Sequence, residues 1–176
     1  MKKMADFEEI LPKLTKLEIF SDFDAAKDED RRILKTVYDG LTTKNFKKGE
    51  MIIREGDRGD DFYILHTGSV QVQQNTFSND RIALANLDST MNIFFGEAAL
   101  IGQDTRSASV IATTDCSTIV LSGEKFLELA EKEPVFGYRV TLRIARRMAA
   151  TIRKSNRDKS TLYEALLSEV EGTFSE

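Results

Sequence analysis

The stretch FFGEAALIGQDTRSASV, residues 94–110, sets a glycine and a glutamate before a run of small residues, and an arginine nine residues after the glutamate. Its order reads as a strand, a tight turn, one helical turn, a loop and a second strand. Glycine at position 96 lets the backbone approach a ligand with no Cβ in the way. The free N–H groups opening the turn Glu97-Ala98-Ala99-Leu100 attract a phosphate. Arg106 can close over the other side with a planar, two-pronged fork, and Ser107 adds a hydroxyl. A carboxylate would repel phosphate, so Glu97 needs another partner. Ionised, it only accepts hydrogen bonds, and a sugar hydroxyl suits it. The stretch fits a molecule carrying both a phosphate and a ribose hydroxyl.

Outward from this turn, the segments MIIREG, DFYILHTGSVQVQQN (broken at Thr67-Gly68), RIALANL, SASVIATT and CSTIVLS carry β-branched and apolar residues between polar turn clusters. Such spacing predicts a β-barrel or sandwich over residues 46–122. Residues 1–45 read as a helical segment, with stripes at Phe7, Ile10, Leu11 and Leu14 and at Ile33, Leu34, Val37, Tyr38 and Leu41. From Gly123 the helical period returns. A short helix ends near Pro134, and a long one follows with Phe136, Val140, Ile144, Met148 and Ile152 every fourth residue. These C-terminal helices, 123–157, belong to the same domain. Residues 158–176 read as an acidic helical tail capped by Ser160, with Leu162, Leu166 and Val170 on one face. The expected class is mainly β with flanking helices (α+β): a β-roll or jelly-roll-like barrel with N-terminal helices and a long C-terminal helix.

The 176 residues suit one domain with extensions, and an apolar fraction of 41% supplies a core. A net charge of −4 is no general attraction for nucleic acid. One cysteine, Cys116, and one histidine, His66, exclude an internal disulfide and a Cys/His zinc site. There is no run of eighteen apolar residues, and MKKMADFEEILPKL does not read as a signal peptide, so no membrane partner and a cytoplasmic location are expected. GxSxG, HExxH and P-loop patterns are lacking, and no motif sets His66 beside Cys116. A binding module is expected rather than an enzyme.

FFGEAAL followed by RSASV is similar to the phosphate-binding cassette of the cyclic nucleotide-binding domain family. NFKKGEMIIREGDRGDDFYILHTGSVQV resembles that family's opening strands, with Gly49, Gly56 and Gly68 in the family pattern, and the resemblance spans roughly residues 17–157. It implies that Glu97 accepts from the ribose 2′-OH, that Gly96 and the amides near Ala98 and Ala99 line sugar and phosphate, and that Arg106 pairs with the cyclic phosphate. Ser107 would donate to the phosphate or the base. Val72, with Ile82 or Leu84, would wall the base, and counting along catabolite-activator-type members sets Arg147 and Thr151 where the long helix reaches it. One departure is Asn92, where the family usually has glycine; asparagine tolerates a left-handed backbone better than most residues.

The implied ligand is cAMP, with cGMP second, and no other cofactor. The implied role is a sensor that transmits binding through its long helix to an effector protein, as a homodimer built on that helix. The alternatives are a DNA-binding regulator of the catabolite-activator type and a nucleotide buffer. For DNA speaks the run Arg139, Arg143, Arg146, Arg147, Arg153, Lys154, Arg157, Lys159. Against it, helical spacing spreads these groups around the axis, and the 24 residues after Ile152 are expected to be too few for a winged helix.

Overall fold

The structure, a computed structural model, describes residues 6–76, 80–102 and 105–173. Two helices open the chain, α1 (Phe7–Lys16) and α2 (Asp28–Asp39). Eight strands follow: β1 (Thr42–Phe46), β2 (Met51–Ile53), β3 (Phe62–Thr67), β4 (Ser69–Asn75), β5 (Arg81–Asp88), β6 (Phe94–Phe95), β7 (Ser109–Ala112) and β8 (Cys116–Leu121). Helices α3 (Gly123–Lys132) and α4 (Pro134–Thr173) close it. The strands form two antiparallel four-stranded sheets, β1-β8-β3-β6 and β2-β7-β4-β5, which face each other as a β-roll. This is the expected β-roll with N-terminal helices and a long C-terminal helix.

The sequence of β3 explains how the layers join. Phe62 and Ile64 point into a core shared with the helices, and Tyr63 and Leu65 point into the roll. In β8, Ile119 and Leu121 likewise face the helices while Cys116 and Val120 face the roll. A sheet covered on both sides needs apolar residues at both parities, so FYIL and IVL read as continuous runs rather than alternations.

Helix α4 begins at Pro134, whose missing N–H costs nothing at a first helical position. It runs unbroken for 40 residues, about 60 Å, so Ser160 lies inside it and caps no separate tail. Phe136, Val140 and Ile144 are buried, but Met148 and Ile152 are 39% and 59% exposed. The cause is geometric. A four-residue repeat advances about 40° around the axis at each step, so by Met148 the stripe has turned about 120° from Phe136. No described helix is long and apolar enough to cross a membrane.

Three arginines hold α4 to the N-terminal segment. Arg139 donates to Asp30 at 2.6 Å and to the Asp22 carbonyl at 3.1 Å. Arg143 grips the Asp22 carboxylate with both prongs. Arg147 reaches Glu18 at 3.1 Å. The Arg143 contact holds the Asp22 carboxyl below its ordinary range. Burial pushes the Asp30 carboxyl up, but the Asp24 N–H and Arg139 outweigh it, and the net shift is downward. Three of the eight groups in the basic run are thus spent on the fold.

Candidate functional site

The cassette turn hangs between β6 and β7. Strand β6 is fixed on β3 by the pairs Tyr63↔Phe95 and Ile64↔Phe94, with the Tyr63 and Phe95 rings stacked 5.4 Å apart. Before it, Asn92 takes the left-handed conformation (φ 51°, ψ 53°), which asparagine tolerates better than most residues; no other described non-glycine residue has positive φ. After it, Gly96 has φ 79° and opens a 3₁₀ turn over Glu97–Leu100. A Cβ at position 96 would stand 2.9 Å from Arg106 Nη1 and 3.0 Å from the Asp61 carbonyl oxygen, so backbone and packing both demand glycine.

Arg106 is half-buried, and main-chain groups position it. Its N–H donates to the Asp57 carbonyl at 2.9 Å, and its own carbonyl accepts from Gly56 N–H at 2.9 Å. Its guanidinium donates to the carbonyls of Asp61 (2.8 Å) and Gly96 (3.4 Å). These partners orient the group without neutralising it. Among the described residues no carboxylate pairs with Arg106, so its charge is available to an anion.

A cleft of about 520 Å³ opens beside this group, within the size range of small-molecule sites. Six residues singled out from the sequence line it: Val72, Gly96, Ala98, Ala99, Arg106 and Ser107. Ile53, Phe95, Val110 and Met148 also line it, and the sequence reading missed them. Val72 and Val110 are cross-strand partners in β4 and β7, and periodicity alone cannot pair those strands. Met148 had a detectable signal, the 40° drift that carries it off the packing stripe. Volume alone does not single out this cleft. A groove of about 770 Å³ between α3 and α4 is larger, but its charged groups among the described residues are Asp60 and Glu124, which repel phosphate.

The other candidates lie outside the lining. The Glu97 carboxylate meets Arg147 Nε at 3.0 Å, and the Arg147 guanidinium sits 4.5 Å from the centre of the Phe94 ring. Leu84 is 52% exposed. The β4–β5 register runs from Val72↔Ala85 to Gln73↔Ala83, which leaves Leu84 as the extra residue of a bulge. Ile82 is also exposed. Thr151 is exposed and donates its hydroxyl to the Arg147 carbonyl at 3.1 Å. Burial pushes the Cys116 thiol up in pKa, which makes it a poor nucleophile.

Residues 43–133 match the family model described as "Cyclic nucleotide-binding domain". Among curated relatives, cGMP-dependent protein kinase 2 of Homo sapiens is 39% identical over 94 residues, 53% of this chain and 12% of that protein. The cAMP-dependent protein kinase regulatory subunit of Dictyostelium discoideum is 32% identical over 131 residues, 73% of this chain and 37% of that one. This chain therefore spans well under half the length of either relative. A solved cyclic nucleotide-binding domain from Methylobacillus flagellatus matches with a TM-score of 0.70 at 25% identity, covering 86% of this chain and 81% of that one. A family match over half the chain, on a β-roll with the same fold as a solved member, leads to one conclusion: the chain belongs to the cyclic nucleotide-binding domain family.

Proposed function

We propose that the cleft binds a purine cyclic nucleotide, cAMP ahead of cGMP, and that α4 passes the event on. The observation that carries this reading is Arg106, charged, half-buried and, among the described residues, held by main-chain carbonyls beside the opening amides of a 3₁₀ turn. Arg106 takes the cyclic phosphate together with the turn's first N–H groups. Val72, Val110 and Met148 flank the base, and Ser107 donates to phosphate or base. Among the described residues the lining holds no carboxylate or carboxamide side chain. The N1–H and 2-amino donors of guanine would find few acceptors there, and this favours adenine.

Glu97 takes the ribose 2′-OH, and in this reading it must loosen its contact with Arg147 to do so. Since Arg147 belongs to the arginine series that holds α4, ligand binding at the turn is felt in the helix, which is a population shift with a named contact. The output is read by a second copy through the free half of α4, and through it by an effector protein. Among the described residues the cleft's one charged side chain is Arg106, so the reading is of binding without turnover. A cytoplasmic site of action goes with it, since the one thiol is unpaired and buried. Calorimetric titration with cAMP, cGMP and 5′-AMP tests this. Saturable binding of cAMP, weaker binding of cGMP and loss with the open-chain nucleotide are expected. No saturable binding of either cyclic nucleotide overturns it.

A further inference from the structure

The second half of α4 leaves the body of the protein. From Thr151 to Val170 every residue except Ser155 is exposed. Yet Ile152, Leu162, Tyr163, Leu166, Leu167 and Val170 sit here, at 45–64% exposure. At 100° per residue the six fall within an arc of about 140°, one continuous apolar face. A solitary helix of this length is marginal in water, and such a face calls for a partner.

Charge says which partner and in which direction. Among the described residues, ion pairs that tie α4 to the rest of the fold run from Arg139 to Arg147. Beyond it come Arg153, Lys154, Arg157 and Lys159 with only Asp158 among them, and then Glu164 and Glu169 with no lysine or arginine after Lys159. The free helix is thus a basic block followed by an acidic one. A parallel pairing with a second copy sets each block against its own like and brings Lys159 onto Lys159 at the seam. An antiparallel pairing sets basic against acidic at both ends.

The seam also fixes a register. Ile152, Asn156, Lys159, Tyr163, Leu166 and Val170 alternate in steps of four and three, the spacing of a two-stranded coil. Turned about Thr161, Ile152 meets Val170 of the second copy, Asn156 meets Leu166, and the Lys159 stem lies on the Tyr163 ring. Arg157 comes within one residue of Glu164 of the other chain. In this register Thr173 comes level with Ala149, one residue past the cleft-lining Met148. The contact runs for about 36 Å. Six apolar side chains from each copy give an interface of roughly 1,200 Å², at the lower edge of specific contacts.

We propose that two copies of this chain pair through α4 residues 149–173, antiparallel and centred on Thr161. The inference rests on the self-association through α4 proposed above and adds its direction and register; it does not require bound nucleotide. It brings the end of each α4 beside the other copy's Met148, at the edge of the nucleotide cleft.

The test uses the full chain. Sedimentation equilibrium at up to about 100 µM should show a dimer. A chain carrying Ile152→Cys is then oxidised with a chain carrying Val170→Cys, and each is also oxidised alone; the native Cys116 is buried. The mixture should cross-link at least tenfold more than either chain alone, because like positions stand about 27 Å apart along an antiparallel pair, beyond disulfide reach. In a charge arm, Arg157→Glu should weaken the dimer about threefold to tenfold, and Arg157→Glu with Glu164→Arg should restore it. Cross-linking of Ile152→Cys to itself, or no restoration by the charge exchange, overturns the direction or register and leaves self-association standing. A monomer throughout overturns both.

Discussion

Replacing Arg147 by methionine keeps the length of the side chain and removes its charge from three contacts: Glu97 at 3.0 Å, Glu18 at 3.1 Å and the Phe94 ring at 4.5 Å. The Glu18 pair is exposed on both sides, at 40% and 59% of the side chains, and contributes at most about 0.5 kcal/mol. Glu97 is only 20% exposed, so its pair with Arg147 is worth about 1 kcal/mol after solvent screening. The ring contact adds about 0.5 kcal/mol. The ligand-free protein should therefore lose about 2 kcal/mol and melt lower by roughly 4–8 °C. Binding should move the other way. Where the 2′-OH has to loosen Arg147 from Glu97, removing the arginine returns part of that 1 kcal/mol, and cAMP should bind about twofold to fivefold tighter. A 2′-deoxy analogue makes no claim on Glu97 and should gain nothing. Differential scanning calorimetry and isothermal titration read both effects. Equal tightening of both ligands, or weaker binding of cAMP, would refute the competition; the weaker binding would instead make Arg147 a direct ligand contact.

Other substitutions probe the turn and the clamp. Gly96→Ala strains a left-handed backbone and drives a methyl group into Arg106 Nη1, so cAMP affinity should fall by about 2 kcal/mol or more, read by titration. Unchanged affinity would mean that Arg106 need not stand where it does. Asn92→Val puts a β-branched residue at φ 51° and should destabilise the protein by about 1–2 kcal/mol in urea melts, whereas Asn92→Gly should be close to neutral. Acid should release α4. Asp22 and Glu133 have folded pKa values below their ordinary ones, first through hydrogen bonds from Arg143 and Arg32 respectively. A depressed carboxylate contributes its full stability above its unfolded pKa, about 4, and loses it as pH falls through the folded value. Melting temperature should hold from pH 7 to 5 as far as these groups decide it, and drop below about pH 4. Asp22→Asn should flatten that drop, and an unaltered slope would remove Asp22 from the cause.

What could be read from the sequence was what is local in the chain. The cassette is contiguous, so Gly96, Ala98, Ala99, Arg106 and Ser107 were visible together, and the structure gathers them around one cleft. The left-handed backbone at Asn92 is one its residue type tolerates, at a position where the resemblance sets a glycine. What holds Arg106 was not legible, because main-chain carbonyls of Asp57 and Asp61 carry no side-chain signature. Nor was the Glu97–Arg147 contact, which joins residues fifty positions apart with no pattern between them. The resemblance sets Ile82 or Leu84 at the base, and the bulge that makes Leu84 an extra residue cannot be seen in a run of apolar letters. The unbroken α4 did have a signal, since no glycine or proline falls between Gly137 and Gly172, but the change from basic to acidic composition masked it.

The account turns on whether the guanidinium of Arg106 receives a cyclic phosphate. Titration of Arg106→Leu with cAMP, beside a thermal melt to establish that the variant is folded, asks this most directly. Loss of a half-buried charged partner should weaken binding by about 2–5 kcal/mol, thirtyfold or more, with the melting temperature little moved. A folded Arg106→Leu protein that binds cAMP as tightly as the wild type would contradict the account at its centre.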